Sequence, residues 1–294
     1  MKLHQLKALI AVADTGSLSR AASALQMSQS SVSEAVQALE KHHQSRLLLR
    51  GPLGSQLTVL GEQVVRHARI ALQALESIDQ EVALSRGSLQ GTLRISLFRS
   101  ISSQIMPALM AHLKKHHPDL QLELLECTIC YEENLLAPLH QGKADLAFVP
   151  NGEAEGFTSW PLFQDPFVVL LPQHWQLSRP VDPADLQGKT LIVTRDCDCT
   201  LRIQGYLTTH QITPAEIIWV QDDLTMYNMV KEGIGACLTA RMALDYLPAN
   251  TAVAPLVFPM HRDIRLVVRQ DGLDVPAIRE VVQVLQTLLP DVQP

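Results

Sequence analysis

Six apolar side chains, Val64, Ala68, Ala71, Leu75, Ile78 and Val82, follow one another at intervals of 4, 3, 4, 3 and 4 residues. This a/d seam runs without a proline from Gly61 to about Ser85 and predicts one long helix. A helix of that length with a single narrow apolar stripe has nothing local to bury it against. The seam therefore predicts a second copy of the chain as partner, with packing on the chain's own downstream domain as the other reading. The helix also divides the chain. At 294 residues there is length for two domains and for a core that needs no disulfide staples. The expected organisation is a head at 1–58, the helix at 59–86, a Gly/Ser hinge at 87–91 and a body at 92–294.

Charge follows the same division. Residues 1–60 carry six basic side chains, Lys2, Lys7, Arg20, Lys41, Arg46 and Arg50, against Asp14, Glu34 and Glu40, a net of +3. With the whole chain at −6, the remainder carries −9. A basic head on an acidic body places any polyanion contact at the head, because each phosphate neutralised releases counterions. The chain is 47% hydrophobic and 18% charged, which excludes extended disorder. No run approaches the roughly 18 uncharged apolar residues of a membrane span, and the first twenty residues lack the tripartite pattern of a secretory signal. The expectation is a cytoplasmic protein with no membrane partner. Its five cysteines, an odd number, are then thiols and not a structural framework.

Within the head, Leu3, Leu6, Leu9, Ile10 and Ala13 recur at helical spacing before a stop at Asp14–Ser17. Ser17 is placed to cap a short helix to Leu25, in which Ala21 and Ala22 are small enough for close packing. A third helix from about Gln29 to His43 buries Val32, Ala35, Val36 and Leu39 and turns Ser30, Ser31, Ser33, Glu34 and Gln37 outward. Two short helices joined by a tight turn fit a helix-turn-helix whose second helix enters the major groove N-terminus first. An ordinary three-helix bundle with a polar surface is the alternative. The following stretch, Arg46–Thr58, reads as a β-hairpin wing around Gly51-Pro52-Leu53-Gly54, with Arg50 at its base able to reach a phosphate.

The run Gly16-Ser17-Leu18-Ser19-Arg20-Ala21-Ala22, Leu25, Ser28-Gln29-Ser30-Ser31-Val32-Ser33, Leu39-Glu40, Leu47, Arg50, Leu57-Thr58 and Gly61-Glu62 closely resembles, in order and spacing, the N-terminal domain of LysR-type transcriptional regulators. The resemblance implies an all-α winged helix-turn-helix domain in which Ser28, Gln29, Ser30, Ser31, Ser33 and Glu34 face DNA and Arg50 holds the backbone. It also implies a bacterial regulator whose linker helix forms a dimer, with a tetramer as the higher assembly, acting on a double-stranded operator. Two departures stand out. Glu34 occupies a position where the family often has a basic residue, and His43-Gln44 replaces a Leu-Gly turn. A carboxylate at Glu34 is repelled by phosphate unless it accepts from a cytosine amine.

Beyond the hinge, strands and helices alternate: strands near Leu93–Phe98, Leu120–Glu126, Ala144–Val149, Phe167–Leu171, Leu191–Val193, Ile217–Val220, Ile234–Thr239 and Ile264–Arg269, with helices at Ser103–His117, Glu132–Gln141, near Leu201–His210, at Leu224–Lys231 and, last, at Pro276–Leu289. This is an α/β body of two doubly wound lobes joined by two crossing strands near Phe163–Phe167 and Phe258–Ile264. Lobe I takes about 92–163 and 265–294, and lobe II about 164–264. The ligand cleft of such a body lies at the carboxyl ends of its strands. The family resemblance implies the same: an effector domain resembling periplasmic binding proteins.

Three strand-to-helix turns should face that cleft. Arg99 is a candidate counter-charge, and Ser100, Ser102, Ser103, Thr128 and Thr200 are candidate donors, to a small carboxylate effector. No other cofactor is expected. The same turns hold Cys127, Cys130, Cys197 and Cys199, so lobe closure would gather four thiols able to oxidise reversibly or hold a soft metal. The opposing reading makes them small apolar packing residues. Cys237 reads as core, and His42-His43 and His116-His117 as surface pairs with no metal-binding partner. The motifs of serine hydrolases, P-loop enzymes and zinc proteases are missing, so no catalytic residue is assigned and no enzyme is expected. The leading reading is a DNA-binding regulator gated by a small effector. The competing one is a thiol or soft-metal sensing module, or a solute-binding protein, in which DNA contact is secondary.

Overall fold

A computed structural model describes residues 1–51, 54–150, 156–195, 197–270 and 272–289. The wing tip at Pro52-Leu53 and the side chain of Arg50 fall outside the described residues. The chain forms two compact units, Met1–Val82 with His140–Lys143, and Ala83–Leu139 with Ala144–Pro294.

The first unit begins with α1 (Leu3–Thr15), α2 (Leu18–Ala24) and α3 (Gln29–His43). These are followed by a two-stranded wing, β1 (Leu48–Gly51) and β2 (Gly54–Leu57), and by α4 (Val59–Leu84). α1 stops where Gly16 turns left-handed at φ 65° and its N–H bonds to the Val12 carbonyl. Ser17 takes the N-cap position of α2, but its side chain makes no capping bond. Leu9, Val12, Ala21, Val32, Val36 and Leu39 are completely buried between the three helices, and Ala21 is what permits α2 to approach that closely. At the end of α3, Gln44 adopts the left-handed conformation, φ 49°, that a glycine would take without strain.

The wing is locked from beneath. The Glu40 carboxylate accepts the Leu47 and Leu48 amides at 2.7 and 3.1 Å. The Thr58 hydroxyl donates to the Arg46 carbonyl and accepts the Gly61 amide, at 3.0 and 2.9 Å, and so caps α4. A Cβ on Gly61 would sit 2.2 Å from the Leu47 carbonyl oxygen, so the start of α4 can lie on the wing only because that side chain is missing.

α4 carries the seam, but the seam divides. Ala68 is buried in the head core and Val64 packs against it, whereas Ala71, Leu75, Ile78 and Val82 stay exposed. Part of the stripe read as one continuous dimer face is therefore satisfied within the head itself. Among the described residues no helix is long and apolar enough to cross a membrane.

The second unit runs β3 (Gln90–Phe98), α5 (Arg99–Gln104), α6 (Met106–His116), β4 (Asp119–Cys127), α7 (Glu132–His140), β5 (Leu146–Pro150), β6 (Phe157–Pro172), α8 (Pro183–Leu186), β7 (Thr190–Thr194), α9 (Asp198–Thr209), β8 (Glu216–Val220), α10 (Asp223–Lys231), β9 (Cys237–Ala240), β10 (Thr251–Pro255), β11 (His261–Arg269) and α11 (Pro276–Leu288). β3 pairs in parallel with β4 on one side and β5 on the other, the 2-1-3 order of a doubly wound sheet. β11 runs antiparallel between β5 and β6. The long β6 pairs with β11 through Pro166, then with β9 and β10 from Phe167 onward, so one strand serves two lobes. β7 and β8 form a parallel pair bridged to Ala236 at Leu191. Separate cores match the lobes: one around Leu97, Phe148 and Val281, the others around Val193, Leu238 and Tyr227.

Two expectations need correction here. The helix predicted as continuous from Ser103 to His117 breaks at Ile105, and Pro107 sits at the start of the second segment. His117 is not a surface residue. It is buried, its Nδ1 accepts the Leu89 amide at 3.1 Å, and its Nε2 lies 3.4 Å from the Glu280 carboxylate. Because Nδ1 accepts, the ring proton sits on Nε2 and faces Glu280. Cys237 is fully buried, and burial drives its thiol pKa upward.

Candidate functional site

The exposed face of α3 starts at its cap. Ser28 accepts the Ser31 amide at 3.1 Å, and its hydroxyl contacts those of Ser30 and Ser31, each at 2.8 Å. Gln29 accepts from Ser19 of α2 at 3.1 Å, which fixes its amide, and Gln37 donates to Ser33 at 3.4 Å. Ser28, Gln29, Ser30 and Glu34 are exposed, and Ser31 and Ser33 half-buried. Short polar side chains and the positive end of the helix dipole thus share one end of α3, while Val32, Val36 and Leu39 hold the opposite face in the core.

In the second unit a cavity of about 220 Å³ opens at the carboxyl ends of β3, β4, β5, β7 and β8, lined from both lobes. That is where an open α/β sheet exposes loop amides and helix N-termini. Of the residues expected there, Arg99, Ser100, Thr128, Cys127, Cys130, Cys197 and Cys199 line it, and Ser102, Ser103 and Thr200 do not. Ser103 donates to Asp245 at 2.8 Å, and Thr200 is buried with its hydroxyl given to the Thr194 carbonyl at 2.7 Å.

Arg99 is not a free counter-charge. It pairs with Asp223 through Nε at 3.0 Å and through Nη2, with Asp245 through Nη1 at 2.6 Å, and donates to the Ala243 carbonyl. Burial works against its charge, but the two carboxylates prevail and raise its pKa. The sequence reading missed the more deeply placed Arg262 of β11. It donates through Nε and Nη2 to Asp165 at 2.9 and 2.8 Å, through Nη2 to Ser100 at 2.7 Å, and through Nη1 to the Cys199 sulfur at 3.5 Å. An arginine in a run otherwise predicted as a buried crossing strand was its available signal. Arg195, which lines the cavity with its guanidinium 5.7 Å from the Trp219 ring, makes no ion pair among the described residues.

All five cysteines are thiols. Cys197 is the N-cap of α9 and Cys130 follows β4, and the two form an isolated parallel backbone bridge between the lobes. The Cys199 thiol donates to Cys197 and, against the penalty of burial, brings the Cys197 pKa down to about 6. The Thr194 hydroxyl, 3.6 Å away, assists. Cys199, the donor of the pair and half-buried at the cavity wall, is pushed up by that bond and by desolvation despite Arg262. Burial raises Cys130 to about 11 and also raises Cys127. The sulfurs of Cys127 and Cys130 point to carbonyls of their own lobe, Asn134 at 3.3 Å and Cys127 at 3.2 Å. Among the described residues no three His, Cys, Asp or Glu side chains converge on a metal position.

Comparison with known proteins matches residues 3–62 to the family described as bacterial regulatory helix-turn-helix protein, lysR family, and residues 86–290 to the LysR substrate binding domain. A probable HTH-type transcriptional regulator, LrrA, of Synechococcus elongatus is 32% identical over 294 residues, 100% of this chain and 99% of the relative. A probable hydrogen peroxide-inducible genes activator of Mycobacterium xenopi is 34% identical over 60% of this chain and 92% of the relative. Among solved structures, a full-length OxyR variant from Pseudomonas aeruginosa aligns with a TM-score of 0.80 at 22% identity, covering 100% of this chain and 99% of that one. A full-length CbnR in complex with target DNA aligns at 0.56 and 21%, covering 97% and 100%.

Proposed function

Because the chain belongs to the LysR family of transcriptional regulators, which bind DNA through the first domain and a small effector through the second, we propose that it reads its operator with the N-terminal end of α3. Gln29, Ser30 and Ser33 are the base- and phosphate-facing residues, Ser28 and Ser31 order that end of the helix, and Arg50 of the wing holds the backbone. The observation that carries this reading is the exposed Ser28–Glu34 face, ordered by its own cap and by Ser19 and mounted on a fully packed core. Glu34 sets base preference by accepting from cytosine and lowers affinity elsewhere. A second copy covers Leu75, Ile78 and Val82 of α4, which supplies two heads for a two-fold operator. The protein acts in the cytoplasm, where the operator is, and as a regulator without a catalytic step.

The effector belongs in the interlobe cleft. At about 220 Å³ the cavity is below the roughly 300–1,000 Å³ of pockets for drug-sized ligands, so a small molecule is favoured. Its carboxylate pairs with Arg195, since Arg99 and Arg262 are committed to Asp223, Asp245 and Asp165. Ser100, whose oxygen already accepts from Arg262, and the exposed Thr128 donate to it.

Fluorescence anisotropy of the full chain tests the DNA reading, using duplexes selected from a randomised pool and scrambled duplexes as competitors. Affinity should fall steeply with salt, by about 0.9 log units per log unit of salt for each phosphate neutralised. Arg50→Ala should lower that slope by about one, and Glu34→Gln should tighten binding to sites lacking the contacted cytosine. Binding that ignores salt, base order and Arg50 refutes the assignment.

A further inference from the structure

We propose that Cys130 and Cys197 form a reversible disulfide that ties the two lobes together across the cleft when a hydroperoxide enters it. The inference rests on the reading of this cleft as the control element of the protein, and it specifies chemistry that a ligand site alone does not need.

The backbone supplies the first argument. Cys130 and Cys197 pair directly as a parallel bridge although they lie in different lobes. Directly paired residues of neighbouring strands are about 4.8 Å apart and present their side chains to the same face. That spacing lies inside the roughly 4.4–6.8 Å that a disulfide spans between Cα atoms, so bond formation needs side-chain rotation and no backbone movement. Both residues line the cavity, which gives a small oxidant access.

The other thiols are placed for different work. Cys199 is half-buried at the cavity wall, 3.5 Å from Arg262 Nη1, and serves as the hydrogen-bond donor that favours a thiolate on its neighbour. Cys127 is turned toward α7 of its own lobe, and Cys237 is sealed in a core. Cys197 is the nucleophile because it lines the cavity at the N-cap of α9, where the helix dipole favours an anion, and its pKa, about 6, agrees with that position. Cys130, held protonated by burial, is the resolving thiol.

The steps balance. The Cys197 thiolate attacks one peroxide oxygen, an S–O bond forms, the O–O bond breaks, and the departing hydroxide or alkoxide takes up the proton that Cys197 had lost. The Cys130 sulfur then attacks the sulfenic acid, the S–S bond forms, the S–O bond breaks, and the hydroxide leaves as water with the proton of Cys130. Two thiols give up two electrons and one hydroperoxide accepts them; hydrogen peroxide yields two waters. An external thiol reverses the bond by exchange.

The test uses the reduced full-length chain, one equivalent of hydrogen peroxide, alkylation of remaining thiols and non-reducing peptide mapping. The expected product lacks two of the five thiols, is lighter by about 2 Da, and contains one peptide pair linked through Cys130 and Cys197 that a thiol reductant separates. Cys130→Ser should stop at a sulfenic acid on Cys197 that dimedone captures, and Cys199→Ser should retain the link. Oxidation should raise the melting temperature of the wild-type effector domain but not that of Cys130→Ser. A link between Cys197 and Cys199, oxidation without a link, or an unchanged mass overturns the proposal. Operator binding by the reduced chain is measured separately, so a failed latch and a failed DNA assignment are told apart.

Discussion

Replacing Arg262 by methionine removes the cation that holds the second unit's two lobes at the strand they share. Asp165 is 1% exposed and Arg262 5%, so the pair is screened by protein and not by water. Once the guanidinium is gone, the carboxylate keeps one partner, the Met242 amide at 3.0 Å. Ser100 loses its donor, and the face of Phe98, 5.0 Å from the guanidinium carbon, loses its cation. Stripping one partner from a buried pair costs about 3–5 kcal/mol, because the charge left behind has been desolvated without compensation. In a domain of this size each kcal/mol is worth about 2–4 °C, so the melting temperature of the effector-domain transition should fall by roughly 6–20 °C. Adding Asp165→Asn removes the stranded charge and keeps an acceptor for Met242, and should restore at least half of the loss. Thermal melts followed by near-ultraviolet circular dichroism compare the wild type, both single variants and the double variant. A loss below about 1 kcal/mol for Arg262→Met, or a double variant whose loss equals the sum of the singles, would refute the claim that an uncompensated buried charge governs the effect.

Two further perturbations separate the remaining assignments. Ile78→Glu places a carboxylate in the exposed stripe of α4, where Ile78 is 60% exposed, and should cost the self-associated state about 1.5–3 kcal/mol for each apolar side chain no longer buried. Sedimentation at fixed concentration should show a shift toward single chains, and an unchanged distribution would place the dimer contact elsewhere. Cys197 has a folded-state pKa near 6, lowered from the ordinary 9.0, so its alkylation by iodoacetamide should be half-maximal in rate near pH 6 and level off above it. Cys199→Ala removes the leading hydrogen-bond donor and should move that midpoint upward; a midpoint that stays near 9 in the wild type would show that no thiolate is held there.

What was legible in the sequence is what short stretches of chain decide. The three helices of the head, the exposed serines at the start of α3 and the wing follow from apolar spacing and turn residues within a few positions of each other, and the structure repeats that pattern. The seam of α4 was legible as a stripe but not as a single surface. Whether Ala68 meets a partner or its own head depends on where α1 and the wing lie, and the glycine contact at Gly61 that sets this is invisible to periodicity. The cleft shows the same limit more sharply. Arg99 reads as a free cation until Asp223 and Asp245, more than a hundred positions away, close around it. His117 reads as surface until Leu89 and Glu280 enclose it.

The cysteines make the distinction a chemical one. Their crowding into two turns is a property of the sequence, and four equivalent thiols are all that spacing can define. Their inequivalence is tertiary: Cys197 at a helix cap with a thiol donor, Cys199 half-buried against Arg262, Cys130 bridged across the cleft and Cys127 turned away. Reactivity follows that inequivalence, because a nucleophile needs a stabilised charge and a resolving partner needs proximity, and in this fold different lobes provide the two.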